Sequence, residues 1–161
     1  MEDLTTTISV VCDLTRLLSA AAWGLFAGAM LTEGLVLVPY WQSLTPAEFF
    51  SWYQANDQRL LGFFGRLTSL TVLLAIAAAL VSLWQGQPGR WLALLDAIIS
   101  LMVIASFFVY FQKANASFAT ASLRVEDVAT QLKRWGSWHW GRTSLSFVAL
   151  ALSLLSLWQL R

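Results

Sequence analysis

Four runs of mostly apolar residues constrain this chain more than anything else in it. They are LLSAAAWGLFAGAMLTEGLVLV (17–38), LTSLTVLLAIAAALVSLW (67–84), WLALLDAIISLMVIASFFVYFQ (91–112) and TSLSFVALALSLLSLWQL (143–160). A helix needs about 20 such residues to cross the hydrocarbon core of a bilayer. The second and fourth runs are slightly short, which tilting or snorkelling of their flanks accommodates. Of the 161 residues, 58% are hydrophobic and only 12% charged. Water cannot be the solvent for such a chain, because roughly a third of an unfolded chain's surface stays exposed after folding. The expectation is one all-α domain, residues 1–161, forming an integral membrane, up-down bundle of four transmembrane helices.

Composition also removes several function classes. A net charge of +1 leaves no basic footprint for nucleic acid. Cys12 is the only cysteine, so an internal disulfide, a CxxC redox pair and a cysteine metal cage are excluded. The N-terminal MEDLTTTISVVCDLTR is acidic and lacks a basic segment ahead of a short apolar core, so no cleaved signal peptide is expected.

The connections between runs are unequal. Residues 85–90 form a tight turn carrying Gly86, Pro88 and Gly89. The other two are long and have helical character. TPAEFFSWYQANDQRL offers Thr45 as N-cap, Pro46 at the first helical position and Glu48 three residues after the cap, a capping box. VEDVATQLKRWGSW carries its acidic residues at the N-terminal end, where a helix dipole favours them. Helices are therefore expected to continue past the bilayer, or along it, on the side of these two loops. That side holds Arg59, Arg66, Lys113, Arg124, Lys133, Arg134 and Arg142, against Arg16, Arg90 and Arg161 on the other. The positive-inside rule puts the long loops in the cytoplasm and both termini across the membrane. Most of the tryptophans fall near span ends, as an aromatic belt requires.

Charges inside spans face the bundle interior and find partners. Glu33 lies six residues before Pro39, roughly 9 Å below that helix end. Its candidate partners from the same side are Arg66, Lys113, Asn115, His139 and Arg142. A buried Glu33–Arg pair that only fixes helix order, a functional pocket and a tilted, water-exposed Glu33 all fit this pattern. Asp96 reads as interfacial. Ala20, Gly24, Gly28 and Thr32, at four-residue spacing, read as close packing inside the bundle rather than as a dimer contact.

The densest feature is RWGSWHWGR, residues 134–142. Trp135, Trp138 and Arg142 follow i, i+3, i+7 spacing on one helix face, and the sole histidine, His139, borders it. Two indoles, an imidazole and a guanidinium suit a flat aromatic ligand with an oxygen substituent, and they suit plain stacking of Arg on Trp equally. Arg134 and Trp140 read as interface anchors, Gly136 and Gly141 as small packing positions. One histidine and one cysteine disfavour haem or a resident metal; no cofactor is evident, and no GxSxG, P-loop, GxGxxG or HExxH is present.

Several of these stretches resemble the anthrone-oxygenase-like family of integral membrane proteins: GLFAGAMLTEGLVLVPYW, YQANDQRLLGFFGRLT, YFQKAN and RWGSWHWGRTSL. The last is similar to the family's W-x-x-W-x-x-x-R-T element through Trp135, Trp138, Arg142 and Thr143, and Asn115 matches a polar Asn after the third span. The chain departs from the pattern at one place, because the family's histidine often falls where Trp140 stands here. The resemblance implies a four-helix fold in a bacterial-type inner membrane. It also implies oxidation of an anthrone to an anthraquinone by dioxygen without a cofactor. Under that reading Glu33 or His139 is the base, Arg142 holds the developing oxyanion, and Arg66, Asn115, Trp135 and Trp138 bind the substrate. The competing class is a non-catalytic subunit of a larger membrane complex, or a homo-oligomer, binding protein, lipid or pigment through a tryptophan-rich face.

Overall fold

In the computed structural model, the backbone is described for residues 2–159 and side chains from Val10 onward. The expectations for the acidic N-terminal side chains, the last residue of the fourth span and Arg161 lie outside the described residues. Four helical rods make up the chain. The first is α1 (Glu2–Thr32), a π-helical segment (Glu33–Leu37) and α2 (Val38–Ser43). The second is α3 (Pro46–Trp84), unbroken. The third joins α4 (Arg90–Ser106), a second π segment (Phe107–Phe111) and α5 (Gln112–Ala119). The fourth is a 3₁₀ turn (Val125–Asp127) running into α6 (Val128–Trp158). There is no strand among the described residues. The stretches long and apolar enough to cross a membrane are Val10–Ser43, Pro46–Trp84, Arg90–Ala119 and Val125–Trp158. α1 packs on α3 and α6, and α4 packs on the same two, which closes an up-down ring of four.

The two long connections are largely helix, as expected. α2 and α3 are separated only by Leu44 and Thr45, and α5 and the 3₁₀ turn by residues 120–124. The capping box forms as expected: the Thr45 amide donates to Glu48 Oε2 at 2.9 Å and the Glu48 amide to Thr45 Oγ1 at 3.4 Å. That reciprocal cap, with Pro46 behind it, lets α3 start two residues after α2 ends. At the opposite end, Gly86 (φ 63°) and Gly89 (φ 77°) supply the left-handed backbone of the α3–α4 turn.

The interior is tiered. Beside the helical extensions, Trp41, Phe49, Tyr53, Phe111, Phe118 and Trp135 form an aromatic cluster with mostly edge-to-face contacts. In mid-bundle, Trp23, Phe26, Met30, Val103 and Ala149 make an apolar plug. Near the α3–α4 turn, Ala79, Ala93 and Ala97 bring α3 and α4 close together. Outward-facing leucines such as Leu25, Leu73 and Leu80 are more than 60% exposed, the pattern of a chain whose solvent is lipid.

Several sequence-based expectations are corrected here. Asp96 is not interfacial but buried, and its Oδ2 accepts hydrogen bonds from Ser19 (3.2 Å) and Ser153 (2.7 Å). Arg16 also turns inward. Its Nε donates to Ser82 Oγ (2.8 Å), Nη1 to the Ser156 carbonyl (3.2 Å) and Nη2 to the Pro88 carbonyl (2.8 Å). It thereby satisfies one of the last carbonyls of α6 and clamps the α3–α4 turn to it. Of the small-residue stripe only Ala20 is buried: Gly24, Gly28 and Thr32 are exposed, and a Cβ at either glycine would meet nothing within 4 Å. Trp23, Phe26, Ala27 and Met30 occupy the inner face instead. The tryptophans divide. Trp84, Trp91 and Trp158 are exposed at the α3–α4 turn and the end of α6, as a belt requires, whereas Trp23, Trp41 and Trp135 are core residues.

Candidate functional site

Of the five side chains expected near Glu33, the structure delivers two. Glu33 opens the π segment of the first rod and is buried. His139 Nδ1 lies 3.4 Å and Arg142 Nη2 3.7 Å from its Oε2. The same Nη2 is 3.5 Å from His139 Nδ1, so the guanidinium faces both acceptors. On its other ring nitrogen, His139 Nε2 is 2.9 Å from the Met30 carbonyl. A carbonyl can only accept, so Nε2 carries a proton and Nδ1 is the nitrogen turned toward Glu33. Were Nδ1 and Oε2 both unprotonated, two acceptors would meet, so their approach calls for a proton on one of them or for Arg142 as a bridge.

The local fold explains why these groups meet. His139 reaches α1 because residue 34 is glycine: a Cβ there would stand 3.1 Å from His139 Nε2 and 3.2 Å from Trp140 Cζ2. Trp135, one turn earlier on α6, stacks flat on the imidazole (5.2 Å, 8°). Trp135 is held in turn by a 2.9 Å hydrogen bond from its Nε1 to Asn115 Oδ1 on α5. Both π segments border the triad. The first supplies Glu33; the second supplies Phe111, whose ring lies 4.2 Å from Arg142 Cζ. Such a segment inserts a residue into a helix and re-aims the side chains after it, a device common at functional sites.

Arg142 is the member of the triad that reaches the outside. It keeps 10% of its side chain exposed and lines a groove of about 700 Å³ between the third and fourth rods. Met102, Ala105, Val109, Gly141 and Leu145 give the groove an apolar lining. Trp138 forms part of its wall, stacked on Tyr110 (4.9 Å, 4°). The groove opens sideways, toward lipid. Arg142 is also short of acceptors: its Nε is buried without a hydrogen bond, as is Glu33 Oε2.

The remaining expected site residues lie elsewhere. Arg66 is exposed on the outer face of α3, away from Glu33, and Lys113 is also exposed. Asn115 and Trp135 are not in the lining of the groove: Trp135 stacks on His139 and Asn115 accepts the Trp135 hydrogen bond. Gly136 packs against Val38, but Gly141 meets nothing and belongs to the groove. Phe111 and Gly34 were missed; a glycine directly after an intramembrane carboxylate was the available signal for the second. No group of three or more His, Cys, Asp or Glu able to hold a metal occurs among the described residues. Comparisons with family models, curated proteins and solved structures find no match.

Proposed function

We propose that the protein binds a lipophilic aromatic molecule bearing a phenol- or enol-type oxygen, which enters sideways from the bilayer and sets that oxygen on Arg142. The observation that carries this is the lateral groove itself, with an aromatic wall at Trp138 and the charged Arg142 side chain, 10% exposed, in its lining. Apolar lining with one convergent charge is the usual make-up of a small-molecule site.

The anthrone-oxygenase-like resemblance adds a reaction to that binding site. An anthrone and dioxygen would give an anthraquinone and water, with the methylene carbon losing both hydrogens and gaining a carbonyl oxygen. The acidic C–H proton would pass to the Glu33–His139 pair, and Arg142 would hold the enolate oxygen left behind. Glu33 and His139 are both buried and meet through Oε2 and Nδ1 beside Arg142, so the two act as one proton-holding pair with Arg142 between them and the groove. The accessory-subunit reading needs a continuous tryptophan-rich face, and the inward positions of Trp23, Trp41 and Trp135 work against one. Under the charge rule applied above, the helical extensions would lie in the cytoplasm of a bacterial-type inner membrane and the termini across it.

The test uses purified protein in lipid nanodiscs titrated with anthrone, followed by tryptophan fluorescence and an oxygen electrode. Saturable quenching weakened about tenfold or more in Arg142→Gln and Trp138→Leu supports the binding site, tenfold being the loss of one charged contact. Oxygen uptake abolished in Glu33→Gln with binding retained supports the reaction. Quenching indifferent to both groove variants overturns the proposal.

A further inference from the structure

A second groove, of about 600 Å³, runs along the outer face of α3 and is lined by Gln58, Arg59, Gly62, Phe63, Arg66 and Leu67. We infer that this groove is a binding site for one anionic phospholipid of the surrounding leaflet, its phosphate held between Arg59 and Arg66 beside Phe63 and its acyl chains laid over Leu67 and Leu70.

The argument begins with depth. Arg66 directly precedes the apolar run 67–84, so it stands at the hydrocarbon boundary, and Arg59 is seven residues further out, about 10 Å along the axis. Helix side chains lean toward the N-terminus, and α3 enters the membrane from its N-terminal end. The Arg66 side chain therefore rises away from the hydrocarbon toward the level of Arg59. Arg59 leans the same way, so side-chain length rather than lean brings the two together: they share one helix face at i, i+7 spacing, and two long flexible side chains can reach a phosphate lying between them at the headgroup level.

Charge is the second element. Neither arginine has a hydrogen-bond or ion-pair partner among the described residues. The nearest carboxylate in sequence, Asp57, is occupied by the Gln58 amide (2.7 Å) and Gln58 Nε2 (3.1 Å). Two uncompensated guanidinium groups beside a bilayer suit a phosphodiester, which they can grip through paired N–H donors.

Shape is the third. Gly62 lies between the arginines, and a Cβ there would meet nothing within 4 Å, so the groove floor is open helix backbone. Towards the membrane centre the lining turns apolar at Leu67 and Leu70, with Leu70 more than 50% exposed, while Phe63 stands between the two arginines. A polar mouth leading into an apolar trough at the hydrocarbon boundary is complementary to a lipid with its headgroup on top. The site is distinct from the Arg142 groove, which is formed by the third and fourth rods, so it stands or falls independently of the proposed function.

The experiment is native mass spectrometry of the full chain, released from micelles containing equal amounts of phosphatidylglycerol and phosphatidylcholine. Wild type is expected to retain phosphatidylglycerol in about tenfold preference, given that each interfacial arginine contributes several-fold to anionic-lipid binding. The preference should fall to near unity in Arg59→Gln/Arg66→Gln. It should also drop in Gly62→Leu, which fills the trough without touching a charge and improves helix propensity. Added inorganic phosphate should not displace the lipid; displacement would mean a soluble phosphate site and would overturn the assignment. It is equally overturned if wild type shows no preference, or if both variants keep it.

Discussion

Gly34→Ala isolates the close approach of α1 and α6 on which the triad depends. In an ordinary helix this change is favourable by about 1 kcal/mol, since glycine loses more backbone freedom on folding. Here the new Cβ would lie 3.1 Å from His139 Nε2 and 3.2 Å from both His139 Cδ2 and Trp140 Cζ2, against 3.4 Å or more for ordinary contact. The imidazole cannot retreat easily, because the 2.9 Å bond to the Met30 carbonyl holds one edge and Trp135 covers a face. Overpacking of this kind costs about 1–3 kcal/mol, and a weakened His139–Met30 hydrogen bond adds about 1 kcal/mol. The net expectation is destabilisation of about 1–3 kcal/mol. Gly28→Ala, in the same rod with nothing within 4 Å of its Cβ, is the matched control and should be neutral to stabilising. Thermal unfolding of both variants in the same detergent, with equilibrium unfolding to convert the shifts, reads the difference directly. If Gly34→Ala proves as stable as Gly28→Ala, the helices are not held at this spacing by contact, and the reasoning from Gly34 to His139 fails.

Two further perturbations concern the opposite end of the bundle. Arg16→Leu removes three hydrogen bonds from a charged donor and leaves the Ser156 and Pro88 carbonyls without it, so unfolding in detergent should be easier by about 3 kcal/mol or more; Arg16→Lys, with a single ammonium, should recover only part of that. Asp96→Asn keeps an oxygen that can accept from Ser19 and Ser153 and should change stability by less than about 1 kcal/mol, whereas Asp96→Leu leaves both hydroxyls to find other acceptors and should cost about 2–3 kcal/mol in the same assay.

What could be read from the sequence, and what could not, follows from the kind of signal each feature leaves. Hydrophobic run length reveals the spans, and the Thr45–Glu48 box and the Gly86–Gly89 turn are local chemistry, legible wherever the chain goes. Glu33, His139 and Arg142 could be grouped because an intramembrane carboxylate must be met from its own side of the bilayer. Arg66 passed the same test and is absent from the cluster, because depth alone does not say which way a helix is rotated. Arg16 and Asp96 show the converse ambiguity: a charge near a span end looks the same whether it snorkels out or turns in. The stripe at Gly24 and Gly28 shares one face by spacing, but spacing cannot tell the lipid face from the core face. The bulk of Trp23, Phe26 and Met30 decides that. The two π segments leave no composition signal, yet they alter the phase of the first and third rods beside the triad.

The partners of Arg16 carry a consequence for how the molecule is made. Two of its three acceptors, on Ser82 and Pro88, belong to the second rod and the turn after it, but the third is the Ser156 carbonyl, 140 positions later in the chain. His139 likewise meets Met30 across 109 positions. During synthesis the first helix must therefore wait in the bilayer, its cation incompletely matched, until the ribosome has delivered nearly the whole polypeptide. Chains stopped before α6 would lack the Ser156 carbonyl for Arg16 and the imidazole for Met30, so these two contacts across the bundle are the last to close.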